Sequence, residues 1–275
     1  MKITRRKLLG NSLRAVAGLA AGACVPGCYL DMAFSPFVTD VSEKDLNASM
    51  LREIMDSESG KGEYDPFCIA LFGDSHHYYS NTEQVIRIIN SRDDIDFTLF
   101  LGDMTNEGLA EEYEIAHDLF KTLKVPWVSV IGNHDALNNG TDIYSKMFGP
   151  LNFDFIYRGV HFIAHNNNNW ECGSDPDYDW LEKTAQESTA ERRVLFSHIK
   201  NSNDAYGRYS ETDVARFRQI AEKYFSMVIH GHAHKNSSIE YIGNVPEYEI
   251  GSPEYGHYMF AHFGEQSIEV ERCQI

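Results

Sequence analysis

Three apolar runs in the first half of the chain each end at a glycine that is followed by polar side chains. The runs cover residues 67–72, 97–101 and 127–131, and their length and composition are typical of buried strands. The first polar residues after these glycines are Asp74, Asp103 and Asn133. They recur at intervals of roughly thirty residues, which is the length of a strand–helix–strand unit.

The segments between these runs have the spacing of helices. Residues 81–84, with the sequence Asn-Thr-Glu-Gln, resemble a helix-capping signal, and apolar residues follow on one face. Between residues 109 and 123, apolar side chains recur every three or four positions. The pattern therefore predicts three parallel strands whose carboxyl ends carry Asp and Asn, and open α/β sheets bind ligands at that edge.

The residue pattern in the second half of the chain predicts more strands than one sheet can hold. Residues 153–157 and 160–164 are predicted to form a hairpin. The runs 193–198 and 227–229 lead into histidines, and strand-like segments continue from residue 239 to the end.

Two further helices are predicted in this half. One covers residues 179–189, and the other covers 212–224 with Ser210 or Thr212 as its cap. The predicted fold class is α/β, and the alternation of strands and helices indicates layered sheets.

The first 28 residues are predicted to be an export signal, because a basic start precedes a short Ala/Gly-rich apolar run. Residues 4–9 resemble a twin-arginine signal, although a general secretory signal fits as well. Cys24 and Cys28 each follow small residues, as in bacterial lipoprotein boxes. We therefore expect an exported lipoprotein of the cell envelope, with simple cleavage as the alternative.

The predicted domain organisation has three parts. Residues 1–28 form the signal, residues 29–62 form a tether and lead-in with a short helix, and residues 63–275 form one domain. The last segment is long enough to bury a substantial core.

The net charge makes long nucleic acid an unexpected partner. The charge is −17 for the whole chain, and removal of the five basic residues of the signal changes it to −22. Such a surface repels nucleic-acid backbones, and the mature sequence has no Lys/Arg cluster. An anionic small substrate remains compatible with this charge if metal ions supply local positive charge. The remaining cysteines, Cys68, Cys172 and Cys273, match no metal-binding spacing, and no disulfide is predicted.

The polar residues at the predicted strand ends are suited to binding metal. Carboxylates, imidazoles and an amide oxygen form a mixed set of ligands for Mn, Fe, Zn or a similar divalent ion. A dinuclear site with a shared carboxylate would clamp a phosphoryl group and lower the pKa of a bridging water. The residues in question are Asp74, His76, Asp103, Asn133, His134, His198, His232 and His234.

These motifs, in this order, resemble those of the calcineurin-like metallophosphoesterase superfamily. They are Asp74-Ser75-His76, Gly102-Asp103 to Gly108, Gly132-Asn133-His134-Asp135, His198, and Gly231-His232-Ala233-His234. The resemblance implies a four-layer α-β-β-α sandwich of two mixed sheets with a dinuclear metal site at the strand ends.

The resemblance also implies roles for individual residues. Asp103 would bridge two divalent metal ions. Asp74, His76 and His234 would complete the first site, and Asn133, His198 and His232 would complete the second. His134 would protonate the leaving group or contact the phosphate, and Asp135 would orient His134 or cap the next turn.

Departures from the motifs narrow the expected function. Asn106 and Glu107 stand where protein Ser/Thr phosphatases carry an Asp and a phosphate-gripping Arg, so a protein phosphatase is not expected. His76 and the Gly-Asn-His-Asp motif resemble the cyclic-nucleotide phosphodiesterase-like branch. We expect the protein to hydrolyse a small phosphoester, a phosphodiester in preference to a monoester. We also expect a lipid anchor to hold it at the membrane. The alternatives are a phosphomonoesterase acting on a small metabolite and a binding module with an idle metal site.

Overall fold

Two β-sheets packed face to face form the centre of the structure, a computed structural model that describes residues 38–202 and 207–275. The first strand shows how the sequence produces this arrangement. Ile69 and Leu71 face the second sheet, whereas Cys68, Ala70 and Phe72 face helices on the other side. Both faces of this strand are buried, which is why its sequence is apolar throughout.

Both sheets are mixed, as predicted. The first sheet has the order β11-β10-β1-β2-β3 and the second has the order β4-β5-β6-β7-β9-β8. Parallel pairing joins β1, β2 and β3 in one sheet and β5, β6, β7 and β9 in the other. The strands are β1 (Phe67–Phe72), β2 (Ile95–Phe100), β3 (Trp127–Ser129), β4 (Phe153–Tyr157), β5 (Val160–Ala164), β6 (Arg192–Ser197), β7 (Met227–His230), β8 (Ser238–Ile242), β9 (Val245–Glu249), β10 (His257–Phe263) and β11 (Ile268–Gln274).

Helices cover the outer faces of the two sheets. The α-helices of the described residues are α1 (Leu46–Asp56), α2 (Tyr79–Asn90), α3 (Ala110–Phe120), α4 (Gly140–Met147), α5 (Asn169–Cys172), α6 (Tyr178–Glu187) and α7 (Glu211–Tyr224). α2, α3 and α4 pack on the first sheet, and α6 and α7 pack on the second.

A third apolar cluster fills the space between the sheets. It includes Phe67 and Phe97 from the first sheet and Phe162 and Phe196 from the second. Each fully buried side chain of this size stabilises the fold by roughly 1.5–3 kcal/mol. The layers therefore follow the order helix, sheet, sheet, helix, which confirms the predicted four-layer α-β-β-α sandwich.

Side-chain hydrogen bonds explain where two of the predicted helices begin. α2 begins at Tyr79, so the predicted cap Asn81 lies inside the helix and instead donates hydrogen bonds to the carbonyls of Pro253 and Glu254. Ser210 caps α7, because its hydroxyl accepts a hydrogen bond from the backbone N–H of Asp213.

The short helix predicted within the tether and lead-in of residues 29–62 is α1. The described residues belong to one compact unit, and α1 packs inside it. Ile54 is fully buried, and the amide of Asn47 exchanges hydrogen bonds with the backbone of Ser129. The predicted signal lies outside the described residues. Within residues 38–202 and 207–275, no helix is both long and apolar enough to cross a membrane.

Candidate metal centre

The loops that leave five strands bring their polar side chains to one place. These strands are β1, β2, β3, β6 and β7, which lie in two different sheets. Several of the residues on these loops have left-handed backbone conformations, which are uncommon for residues other than glycine. Such conformations concentrate at functional sites, where the surrounding structure holds them in place. They are Asp74 (φ 55°), His76 (φ 41°), Asp103 (φ 57°), His232 (φ 70°) and His234 (φ 43°).

Four of the predicted ligands form the first cluster. Ligand atoms of Asp74, His76, Asp103 and His234 all lie within 4.8 Å of one another. Nε2 of His76 lies 3.5 Å from Oδ2 of Asp103 and 3.4 Å from Nε2 of His234. These separations are close to those between ligand atoms that share one metal ion.

The second cluster shares Asp103 with the first. Asp103, His198 and His232 again have ligand atoms within 4.8 Å of one another. Nε2 of His198 lies 3.2 Å from Oδ2 of Asp103 and 3.3 Å from Nδ1 of His232. Oδ1 of Asn133 lies 3.0 Å from the same Nε2, so Asn133 belongs to this cluster. The structure therefore brings together all seven predicted metal ligands, with Asp103 common to both clusters.

The hydrogen bonds around the two clusters fit bound cations. Nδ1 of His76 lies 3.0 Å from the carbonyl of Thr105, and Nδ1 of His198 lies 2.7 Å from the carbonyl of Leu101. A carbonyl only accepts, so each Nδ1 donates and each neutral ring presents a lone pair at Nε2. Oδ1 of Asp74 and Oδ2 of Asp103 are buried, and neither accepts a hydrogen bond from the described residues. Buried carboxylate oxygens rarely lack a donor, and a metal ion would supply the missing partner.

Burial and mutual charge set the protonation of the cluster. Burial raises the pKa of Asp74 and lowers the pKa of His232 to about 3. Burial is the largest influence on His198 and would lower its pKa, but the interactions with Asp103, with Asp74 and with the carbonyl of Leu101 together outweigh burial and raise that pKa to about 9. A metal ion at His198 would therefore take the place of a proton.

Asp135 has a different role from the predicted catalytic one. Its carboxylate accepts hydrogen bonds from the backbone N–H groups of Asp103, Thr105 and Gly132, and from the hydroxyl of Thr105. It is fully buried, and Nδ1 of His134 bonds instead to the carbonyl of Asn106 at 2.8 Å. The prediction that Asp135 orients His134 was therefore wrong. Asp135 joins the loops after β2 and β3, and it holds Asp103 in position.

His134 lies at the edge of the centre. Its backbone N–H donates to Oδ1 of Asp103 at 2.8 Å, and its ring packs edge-on against the ring of His76 with centroids 4.7 Å apart. Because Nδ1 donates to the carbonyl of Asn106, Nε2 remains for a substrate oxygen. The ring is only partly buried, which agrees with a role in contacting substrate.

The loop after β5 contains supporting residues whose individual roles the sequence did not reveal. Four asparagines in a row, Asn166 to Asn169, follow this strand. In the structure Asn167 and Asn168 are buried, and the amide of Asn168 donates to the carbonyl of Ile131 just before the Asn133 loop. The amide of Asn167 donates to the carbonyl of Ile199 just after His198.

Arg208 and Glu171 were also missed by the sequence analysis. The guanidinium of Arg208 forms two hydrogen bonds with Glu171, at 2.7 and 2.9 Å, and stacks on the ring of Trp170 at 4.5 Å. The positive charge of Arg208 also acts on the centre. Burial and the charge of His198 are the main causes of the low pKa of His232, and the charge of Arg208 lowers this pKa further. No local sequence motif marks this arginine, because its position depends on the packing of α5 against the segment before α7.

Gly132→Ala is expected to disrupt the centre. A Cβ at Gly132 would overlap Oδ1 and the backbone nitrogen of Asp103. We expect loss of bound metal and a fall of about 1–3 kcal/mol or more in the free energy of unfolding. Elemental analysis and urea unfolding measure the two effects. Gly264→Ala is the matched control, because its nearest neighbour would be Oγ of Ser267 at 3.2 Å. Full metal content in Gly132→Ala would contradict the close approach of these loops.

Comparison with known proteins agrees with this geometry. Residues 68–236 match the family model described as Calcineurin-like phosphoesterase. A probable cyclic nucleotide phosphodiesterase of Xenorhabdus bovienii is 32% identical over 88 residues, which are 32% of this chain and 32% of that protein. A probable glycerophosphodiester phosphodiesterase of Arcobacter nitrofigilis is 36% identical over 55 residues, which are 20% of each chain. The matched segments thus span about a third or less of these relatives.

A solved structure shows the same fold. Purple acid phosphatase PPD1 from yellow lupin seeds superposes with a TM-score of 0.61 and 14% identity, covering 77% of this chain and 52% of that one. This chain therefore combines a four-layer sandwich with two carboxylate–imidazole clusters that share Asp103, and the two clusters are suited to two divalent metal ions. The match to the family model covers more than half of the chain, and the chain belongs to the calcineurin-like phosphoesterase family.

Proposed function

We propose that this protein is a metal-dependent phosphoester hydrolase that favours phosphodiesters. The observation that carries the proposal is the pair of clusters joined by Asp103, whose free buried oxygen lies within 3.5 Å of ring nitrogens from both clusters. The residues fit two divalent ions of the Mn, Fe or Zn type. When bound, such ions would neutralise phosphate oxygens and acidify an attacking water.

The side chains of the protein have separate tasks in this reaction. Asp103 belongs to both clusters and so fixes their positions relative to each other. Asp135 accepts a hydrogen bond from the backbone N–H of Asp103 and holds it in place. With Nδ1 bonded to the carbonyl of Asn106, His134 can donate a proton or hydrogen bond from Nε2 to the departing oxygen when both of its ring nitrogens carry a proton. A positioned acid of this kind accelerates the reaction about 10²–10⁴-fold. Asp74 and Asp103 are fully buried, and the lower local dielectric strengthens the attraction between their carboxylates and a cation.

The preference for phosphodiesters is supported by the proteins that this chain is similar to. Both curated relatives are named as phosphodiesterases. A phosphomonoesterase is the alternative enzyme, and a binding module with an idle metal site is the alternative without catalysis.

One screen distinguishes these three functions. The purified full chain is freed of metal, loaded with Mn²⁺, Fe²⁺ or Zn²⁺, and assayed on alkyl phosphodiesters and on the matching monoesters. We expect metal-dependent turnover that is faster on the diesters. Faster turnover of monoesters would identify a phosphatase, and no turnover with any of the ions would leave the binding module.

Arg208 is expected to contribute to substrate binding. Its guanidinium is nearly buried, and its charge lies close enough to the centre to affect His232. A hydrogen bond to a charged group contributes about 1.5–3 kcal/mol, so Arg208→Gln should raise KM by about ten- to a hundredfold. Because this change leaves Glu171 unpaired, the double variant Arg208→Gln/Glu171→Gln should show the same increase in KM. Arg216→Gln is the control, since Arg216 pairs with exposed Asp179. An unchanged KM in the double variant would limit Arg208 to a structural role.

We also propose that the protein is exported and anchored to the membrane by a lipid. The support is the basic start, the short apolar run and the small residues that precede Cys24 and Cys28. Replacing both cysteines with serine should abolish fatty-acid labelling and release the protein from the membrane fraction. Membrane attachment that survives the double replacement would contradict this anchor.

A further inference from the structure

A second group of potential metal ligands lies near the amino end of β1. The side chains of Cys68, Asp94 and His262 have ligand atoms within 4.8 Å of one another. Asp74 lies six residues further along the same strand and loop, roughly 20 Å away at the rise of an extended chain. This group is therefore separate from the candidate metal centre.

Strand register brings these residues together. Cys68 in β1 pairs directly with His262 in β10 and with Ile95, the first residue of β2. Directly opposed residues in an antiparallel pair have side chains on the same face, with Cβ atoms about 4.5–5.5 Å apart. Asp94 immediately precedes Ile95, so its carboxylate comes from the neighbouring strand. The fixed geometry of the sheet thus holds three different ligand types close together.

The distances are close to those of a tetrahedral zinc site. Nε2 of His262 lies 3.9 Å from Sγ of Cys68 and 3.7 Å from Oε2 of Glu271. Zinc bond lengths place sulfur and nitrogen about 3.6 Å apart, and nitrogen and oxygen about 3.4 Å apart, in a tetrahedron. A shift of a few tenths of an ångström would bring Sγ of Cys68 and Nε2 of His262 to the separation that one zinc ion requires.

The surroundings of the cluster also suit a cation. Arg92 donates to both oxygens of Asp94, at 2.9 and 2.6 Å, and lies 3.4 Å from Oε2 of Glu271. Such a donor orients a carboxylate while leaving it lone pairs for a metal. Two carboxylates against one guanidinium leave the site negative. Cys68, Asp94 and His262 all line a cleft of about 750 Å³, through which an ion could enter.

We propose that Cys68, His262 and Asp94 form a third metal site that binds Zn²⁺ or another thiophilic divalent ion, with the carboxylate of Glu271 next to His262. Thiolate and imidazole ligands favour zinc over the harder ions Mg²⁺ and Mn²⁺. Burial raises the pKa of Cys68 to about 12, so the uncomplexed side chain is a thiol. Binding breaks the S–H bond, forms the metal–sulfur bond and releases one proton to solvent. The ion would join β1, β10 and the turn before β2, and so stabilise the edge of the sheet opposite the candidate metal centre.

Cadmium is the probe that separates this site from the dinuclear clusters. Its thiolate complexes absorb in the near ultraviolet, and none of the seven proposed ligands of the dinuclear clusters carries sulfur. Full-length chains with Cys24→Ser and Cys28→Ser are freed of metal under reducing conditions and titrated with Cd²⁺. We expect a thiolate band that saturates at one Cd²⁺–thiolate bond per chain. Cys68→Ser should abolish the band, and Cys273→Ser, which removes another partly buried free cysteine, should retain it.

A second variant tests the site without removing the buried thiol. His262 has 39% of its side chain exposed, so His262→Gln should fold, as circular dichroism can verify. It should keep the band but weaken Cd²⁺ binding at least about tenfold. The proposal is overturned by absence of the band, by a band that survives Cys68→Ser, or by unchanged affinity in His262→Gln. Turnover of phosphoesters is read separately, so failure of this site and failure of the proposed function are distinguishable.

Discussion

Asp103→Asn is expected to lower bound metal to less than half of the wild-type content and to reduce turnover more than about a hundredfold. Asp103 is the only residue common to both clusters, and its Oδ2 approaches Nε2 of His76 and of His198. Loss of an outer partner of a ligand already costs about 10–100-fold in affinity or activity, and loss of a shared ligand should exceed that. Elemental analysis and kinetics on the same preparation measure both effects.

The comparison with single histidines makes this prediction specific. His234→Gln removes a ligand from the first cluster alone, so it should retain more metal than Asp103→Asn. Asp118→Asn is the control for charge, because Asp118 is exposed and pairs with Lys121. Two metal ions per chain in Asp103→Asn would show that Asp103 does not bridge.

His134→Gln is expected to lose about 10²–10⁴-fold of activity on alkyl phosphodiesters, and much less on nitrophenyl esters. An alkoxide must be protonated as it leaves, whereas nitrophenolate leaves without a proton. Glutamine preserves the backbone bond from residue 134 to Asp103, so the fold and the metal content should be unchanged. Steady-state kinetics with the two substrate types, together with metal analysis, measure this contrast.

The outcomes of this experiment assign the role of the ring. An equal loss on both substrates with metal retained would identify His134 as a phosphate-binding group instead of an acid. Loss of metal would show that the ring supports the clusters. His77→Gln is the matched control, because His77 is an exposed neighbour of the first motif and should leave both activities unchanged.

Much of the fold could be predicted from local pattern. The run 67–72 is apolar at every position because both faces of β1 are buried, and this pattern therefore predicted a central strand. The glycine-then-acid exits predicted that Asp74 and Asp103 would meet at one sheet edge, and their clusters confirm it. Helix ends were less predictable, since the side chain of Asn81 bonds to a segment more than 170 residues away.

The sequence by itself determined which polar residues follow the strand ends that meet at the centre, whereas tertiary packing decided which residues support them. Asp135 is adjacent to His134 in the chain, yet its carboxylate bonds to backbone groups some 30 residues earlier. Arg208 pairs with Glu171 across 37 positions of sequence, and Cys68 meets His262 across 194. Periodicity reports only which face of an element is buried. Contacts between elements depend on strand register and on loop paths, which no local window of sequence contains.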